Sequence, residues 1–151
     1  MVKARELVDR QSPTWQQAVV ADFMAEGHFG RHLRRMRVLY SHRLEVLDRA
    51  ISRHAADLFE LPPREGGMNR VVYFLSEMND EAAAAAAQAA GVSCLPLSHY
   101  RLTPGGRPGL VLGFTAIDEE TASYAMQRLA AAIRPLRPLP PLVPGTLEAM
   151  E

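Results

Sequence analysis

Hydrophobic positions divide the chain into a long helical stretch followed by shorter, alternating elements. Trp15, Val19 and Phe23 recur every four residues, which places them on one helical face. Ser12-Pro13 supplies a start for that helix, since serine can accept from an early backbone N–H and proline is preset for the first helical position. Gly27 marks its stop. Beyond it Phe29, Leu33, Met36, Tyr40, Leu44, Leu47, Ile51, Ala55 and Leu58 keep the three-or-four spacing of a long amphipathic helix. Leu61-Pro62-Pro63 is expected to end it, because proline cannot donate to the helical ladder and disfavours helix in the residue before it.

The pattern then changes. Val-Val-Tyr-Phe-Leu within Arg70 to Leu75, bounded by Gly66-Gly67 and Asn79-Asp80, reads as a buried strand. Asp80 is placed to cap a helix through the alanine run Ala82 to Ala90, which Gly91 closes. Val92 to Leu97 and Leu110 to Phe114 predict two further strands, separated by the turn-rich Thr103-Pro-Gly-Gly-Arg-Pro-Gly109. Asp118-Glu119-Glu120 opens a last helix, its acidic first turn facing the positive end of the helix dipole, and Arg134-Pro135 ends it. Leu136 to Pro144, interleaved with prolines, is expected to be extended or disordered. The order predicts an α+β layer with helices on one face of a short sheet. The expected organisation is an N-terminal and long joining helix over 1–60, a small α+β domain over 61–134 and a proline-rich tail over 135–151.

Composition narrows the function classes. With 151 residues and 48% hydrophobic side chains, one core is the default. A formal net charge of zero gives no global field for nucleic acid, an anionic membrane or an acidic substrate. No run approaches the ~20 apolar residues of a membrane-spanning helix, and no secretory signal is read, so a cytoplasmic location with no membrane partner is expected. Cys94 is the one cysteine and reads as a small hydrophobe within a strand. His28 and His32 have the spacing of two zinc ligands but lack the His-Glu-x-x-His arrangement and a third ligand, so no metal site is expected. Arg31, Arg34, Arg35, Arg37 and Arg43 make the long helix locally basic, without the interleaved aromatics or recognition helix of a nucleic-acid binder.

The stretch Gln17-Ala-Val-Val-Ala-Asp-Phe-Met-Ala-Glu-Gly-His-Phe-Gly-Arg-His-Leu-Arg-Arg-Met-Arg37, continuing into Leu39-Tyr40 and Arg43, resembles the joining segment of the aminotransferase-like domain in MocR-type transcription regulators. Gly66-Gly67-Met68 before the Val71 to Leu75 strand, Gly91-Val92 with Pro96-Leu97-Ser98, and Leu110-Val-Leu-Gly-Phe114 resemble the glycine-rich approach, the next strand and the final strand of that family's small domain. The resemblance implies the small domain of a fold-type-I pyridoxal-phosphate-dependent transferase. It also implies a parent protein with a large cofactor-binding domain and a GntR-type winged helix-turn-helix for DNA. Neither is legible in this chain, which reads as a truncated C-terminal portion of such a regulator.

Two departures limit the chemistry that the resemblance implies. Lys3 is the single lysine and lacks the context of a Schiff-base lysine, so no catalytic or cofactor-holding residue is assigned, and pyridoxal 5'-phosphate is expected only in a complete parent protein. Related aminotransferases carry Arg-Leu-x-Phe in the final strand, where the guanidinium grips a substrate carboxylate; here the residues are Val111-Leu112-Gly113-Phe114. Arg101 or Arg107 could substitute from adjoining loops. Gly67, His99, Tyr100 and Arg101 are the expected effector contacts. The rival readings are the small domain of a true aminotransferase and a stand-alone module that pairs with a large domain or forms a homodimer, with the Trp15, Val19, Phe23 face favouring a partner.

Overall fold

The computed structural model describes residues 14–64, 66–103 and 105–138, and the chain separates into two compact units, Met1–Leu39 and Tyr40–Glu151. In the first unit, α1 (Thr14–Ala25) buries none of its residues, and Trp15, Val19 and Phe23 are all exposed. The expected start at Ser12-Pro13 lies outside the described residues. Gly27 does end this helix: its N–H donates to the Met24 carbonyl at 3.1 Å and its φ of +76° is the left-handed conformation that glycine adopts without a Cβ penalty. The next helix, α2, runs His28–His54 and contributes residues to both units.

In the second unit the periodic face of α2 becomes core. Val46, Leu47, Ala50 and Ile51 are buried, one turn apart in pairs, as the sequence spacing requires. The helix ends at His54, several residues before Leu61-Pro62-Pro63. Its end is stapled from elsewhere: the Arg134 guanidinium donates to the His54 carbonyl at 2.7 Å and to Asp57 Oδ1 at 3.0 Å. Ala55 and Leu58 remain buried, now in the turn after the helix. The residues freed by this earlier stop form a short strand, β1 (Phe59–Glu60), that the hydrophobic pattern did not predict.

Three more strands follow: β2 (Asn69–Phe74), β3 (Leu95–Pro96) and β4 (Gly109–Gly113). They form one four-stranded sheet in the order β1-β2-β4-β3, and every neighbouring pair is antiparallel. The expected strand over Val92 to Leu97 shrinks to two residues. Pro96 has no N–H for a ladder, and the chain bends directly into a 3₁₀ turn over Leu97–Tyr100. Cys94 is therefore outside any strand and half-buried.

Two helices complete the unit, α3 (Asp80–Ala89) and α4 (Glu119–Ile133). Asn79, not Asp80, caps α3, its side chain accepting from Ala82 N–H at 2.9 Å. Asp118 caps α4 as expected, accepting from Thr121 N–H at 2.8 Å, and Gly91 takes the left-handed φ of +77° after α3. Ala83, Ala84 and Ala87 are buried, and their small side chains let α3 lie close against α4. After α4, Arg134–Leu136 forms a 3₁₀ turn, so Leu136 is not extended; the tail beyond residue 138 lies outside the described residues.

The helices cover one face of the sheet. Val72, Phe74, Leu110 and Leu112 point into a core with Ile51, Leu58, Phe114, Leu129 and Ile133, each burial contributing at most about 1.5–3 kcal/mol. Phe59 stacks on Phe74 at 5.5 Å between ring centres, fixing β1 to this layer. The α+β expectation is met. No described helix is long and apolar enough to cross a membrane.

Candidate functional site

Strand alternation leaves a second, outer face on the sheet. Val71, Val111 and Leu95 stand directly opposite one another across β2, β4 and β3. One register step along, Glu60, Tyr73 and Gly109 are aligned across β1, β2 and β4. A cleft of about 230 Å³ beside this face is lined by Pro62, Pro63, Val71, Tyr73 and Leu97 together with the polar Arg64, Asn69 and Arg70. The family resemblance sets Val111 against the carboxylate-gripping arginine of related aminotransferases. The Val111 side chain is only 8% exposed and has valine and leucine beside it. This part of the face is apolar by construction.

The corner that carries His99, Tyr100 and Arg101 is set by a residue that the sequence presents as a helix cap. Asp80 is 6% exposed, and its carboxylate accepts from Ser98 N–H at 2.9 Å, from Ser98 Oγ at 2.8 Å and from Gly109 N–H at 3.5 Å. Burial pushes this carboxyl up. The Ser98 hydroxyl, the two backbone N–H groups and the Arg101 charge together outweigh burial and hold it below the ordinary aspartate range. One carboxylate thus ties α3, the 3₁₀ turn and the start of β4 together. The polar residue just before a helix run, offset by one position from its better cap, was the only sequence signal for it.

The four expected effector contacts fall in two places. His99 lies 3.5 Å from Glu81 and Tyr100 is exposed, both on the corner held by Asp80. Arg101 donates to the Gly105 carbonyl at 2.7 Å and to the Arg107 carbonyl, shaping the loop into β4. Gly67, with φ +86°, precedes the opposite end of β2, where Asn69 pairs with Gly113. That end is roughly 14 Å from the Tyr73–Gly109 end along the strand. Arg107 donates to both oxygens of Glu60, at 3.1 and 2.6 Å, and lies 4.8 Å above the Tyr73 ring. Neither Glu60 nor Tyr73 was singled out from the sequence, because the strand that brings Glu60 to this face was not predicted.

Some of the remaining candidates have local partners. His28 pairs with Glu26 at 3.1 Å and stacks on Phe23 at 5.6 Å, and no group of three or more potential metal ligands occurs among the described residues. Arg43 donates to the Thr115 carbonyl and so serves the fold of the second unit. Burial pushes the Cys94 thiol up to about 11, which makes it a poor nucleophile. Lys3 lies outside the described residues, which themselves hold no lysine. The described residues therefore do not fit the covalent anchoring of pyridoxal phosphate.

Comparison places this architecture. The fold is that of part of an aminotransferase: the chain matches Thermus thermophilus LysN, an α-aminoadipate aminotransferase complexed with N-(5'-phosphopyridoxyl)-L-leucine, with a TM-score of 0.77 at 24% identity, over 89% of this chain and 34% of that one. A Pyrococcus horikoshii kynurenine aminotransferase in complex with PMP matches with a TM-score of 0.77 at 21% identity, over 87% of this chain and 33% of that one. By sequence the chain is similar to part of MocR-type regulators. It is 38% identical over 116 residues to the probable rhizopine catabolism regulatory protein MocR of Rhizobium meliloti, covering 77% of this chain and 24% of that protein. It is 28% identical over 119 residues to PdxR, the HTH-type pyridoxine biosynthesis transcriptional regulator of Corynebacterium glutamicum, covering 78% and 25% respectively. The chain thus spans about a quarter of the length of these regulators. No protein-family model matches it.

Proposed function

We propose that this chain is the effector-sensing small domain of a MocR-like regulator and has no catalysis of its own. The observation that carries the reading is Val111: an aminotransferase fold, related in sequence to regulators, presents an apolar row where a transaminating enzyme would grip its substrate. A complete parent protein would hold pyridoxal 5'-phosphate in a large domain supplied upstream or separately, and would contact DNA through a winged helix-turn-helix. The small domain would comprise 61–134, joined through helical residues of 1–60 and followed by the tail 135–151.

In this reading the outer sheet face is turned toward the effector. His99 and Tyr100 offer side chains from the corner that Asp80 fixes, Arg101 shapes the adjoining loop, and Gly67 offers backbone at the far end. Effector binding favours a closed arrangement, and the difference in affinity between open and closed states is passed through α2 to the DNA-binding half. The test is operator binding by the complete parent protein, measured with and without cofactor and candidate amine effectors. A change in affinity of about fivefold or more supports the reading, and identical affinities in all conditions would sink it.

A partner-binding module is the second reading, favoured by the exposed Trp15, Val19 and Phe23 on α1. Intact-mass measurement of the polypeptide in its source cells separates the two: a product of this length alone supports the module, and a product about four times longer supports the regulator.

A further inference from the structure

The row Glu60–Tyr73–Arg107 carries an inference beyond the loss of the strand clamp, and it rests on the reading of the outer face as the effector face. Glu60 and Tyr73 are cross-strand neighbours, Tyr73 is opposite Gly109, and Arg107 arches back from two residues before Gly109. Its guanidinium carbon lies 4.8 Å from the centre of the Tyr73 ring, and the group forks onto both Glu60 oxygens. That planar two-point grip is the geometry with which arginine holds any carboxylate. Tyr73 also lines the cleft with Pro62, Pro63, Val71 and Leu97, and the two arginines of that lining, Arg64 and Arg70, are held by Asp48 at 3.1 and 2.9 Å.

We infer that Arg107 is a carboxylate-binding residue of this face, that Glu60 is its internal occupant, and that a small monocarboxylate with an apolar body displaces Glu60 while its body enters the cleft. Exposure makes the exchange feasible: the Arg107 and Glu60 side chains are 52% and 49% exposed, and a solvent-exposed pair has little net strength to overcome. Arg101 is not the equivalent group. Its donors are held by the carbonyls of Gly105 and Arg107, and a Cβ built on Gly106 would stand 3.2 Å from its guanidinium carbon, so Arg101 is packed into the loop that presents Arg107.

Benzoate and benzamide, alike in shape and different in charge, are the probes, titrated into the full 151-residue chain and followed by backbone amide shifts. Benzoate is expected to move the Tyr73 and Arg107 amides, and benzamide to leave them in place. Glu60→Gln should tighten benzoate binding about threefold by removing the competing carboxylate, and Arg107→Ala should weaken it about tenfold. Arg107→Lys keeps the charge and loses the fork, and should also weaken it, which covers the case of a misfolded alanine variant. Equal binding of benzamide, unchanged binding by both Arg107 variants, or no gain in Glu60→Gln each overturn the inference. Its failure is separable from that of the regulator reading: benzoate binding that needs Arg107 in a parent protein with unresponsive operator affinity defeats only the latter. An operator response that survives Arg107→Ala and Arg107→Lys defeats only the former.

Discussion

Ser98 donates to Asp80 twice, through its backbone N–H at 2.9 Å and its hydroxyl at 2.8 Å, so the first residue of α3 grips the middle of the 3₁₀ turn. A buried carboxylate with such partners is costly to delete, because the donors it served lose their acceptor in a place water does not easily reach. Asp80→Ala should destabilise the chain by about 2–3 kcal/mol in urea unfolding. Ser98→Ala removes one donor and leaves the backbone bond, and should cost about 1 kcal/mol. Equal losses in the two variants would show that Asp80 does not organise the corner through its other bonds.

The same pair sets a pH dependence. Because the Asp80 pKa is lowered in the folded chain, its stabilisation is fully present above the unfolded value near 3.9 and is lost as pH falls through the folded value. Asp57, Glu60 and Asp118 are lowered as well, by hydrogen bonds from Arg134, Arg107 and Thr121 respectively. Asp80→Asn should therefore flatten part of the loss of stability below about pH 4 and leave the remainder, with little further change between pH 6 and 8. An acid limb of undiminished slope in Asp80→Asn would contradict this.

Much of this architecture is written in spacing that local physics enforces. The α2 face, the β2 and β4 strands, the Gly27 and Gly91 stops and the Asp118 cap each follow from a period or a single residue's backbone preference. What spacing cannot carry is contact between distant residues. Arg134 ends α2 from 80 positions away, and that early stop creates β1 and so brings Glu60 beside Tyr73. Asn79 and Asp80 are chemically near-equivalent as caps, and only the approach of Ser98 and Gly109 decides which one is drawn inward. The outer sheet face was legible in the alternation of β2 and β4 and the valine at 111, while Glu60, which joins its row beside Tyr73, depends on the unpredicted strand.

Gly109 and Gly113 bracket β4 and should respond very differently to alanine. A Cβ at Gly109 would fall 2.2 Å from the Val72 carbonyl oxygen, a backbone atom that cannot turn aside. At Gly113 the nearest neighbour would be Asn69 Oδ1 at 3.9 Å, an ordinary contact. Neither glycine has a positive φ, so steric space alone distinguishes them. Gly109→Ala should cost about 3 kcal/mol by forcing β2 and β4 apart, and Gly113→Ala should stay within about 0.5 kcal/mol of the parent chain. Thermal unfolding of both variants checks the contrast, and similar midpoints would refute it.

Cys94 offers a probe of the core that requires no mutation. With its thiol pushed up to about 11 by burial, the thiolate at pH 8 should be scarcer by roughly two orders of magnitude than for an ordinary cysteine. Iodoacetamide should label the folded chain correspondingly slowly and the urea-unfolded chain at the normal rate. Fast labelling under native conditions would place Cys94 outside the packed layer.

Trp15 is the chain's single tryptophan, so selective tryptophan excitation reports on α1 apart from the four tyrosines of the second unit. At 69% exposure its emission in the isolated chain should lie at the red, water-exposed end and be quenched freely by acrylamide. Both the regulator and the module readings give the Trp15, Val19, Phe23 stripe a covering surface, because exposed apolar faces of this kind mark contact sites. In the complete parent protein, or in a complex with a separate large domain, the emission of Trp15 should shift to the blue and its quenching should fall severalfold. Substituting the parent's other tryptophans with phenylalanine isolates the signal. Emission and quenching that match the isolated chain would leave the stripe uncovered and remove α1 from the set of contact surfaces.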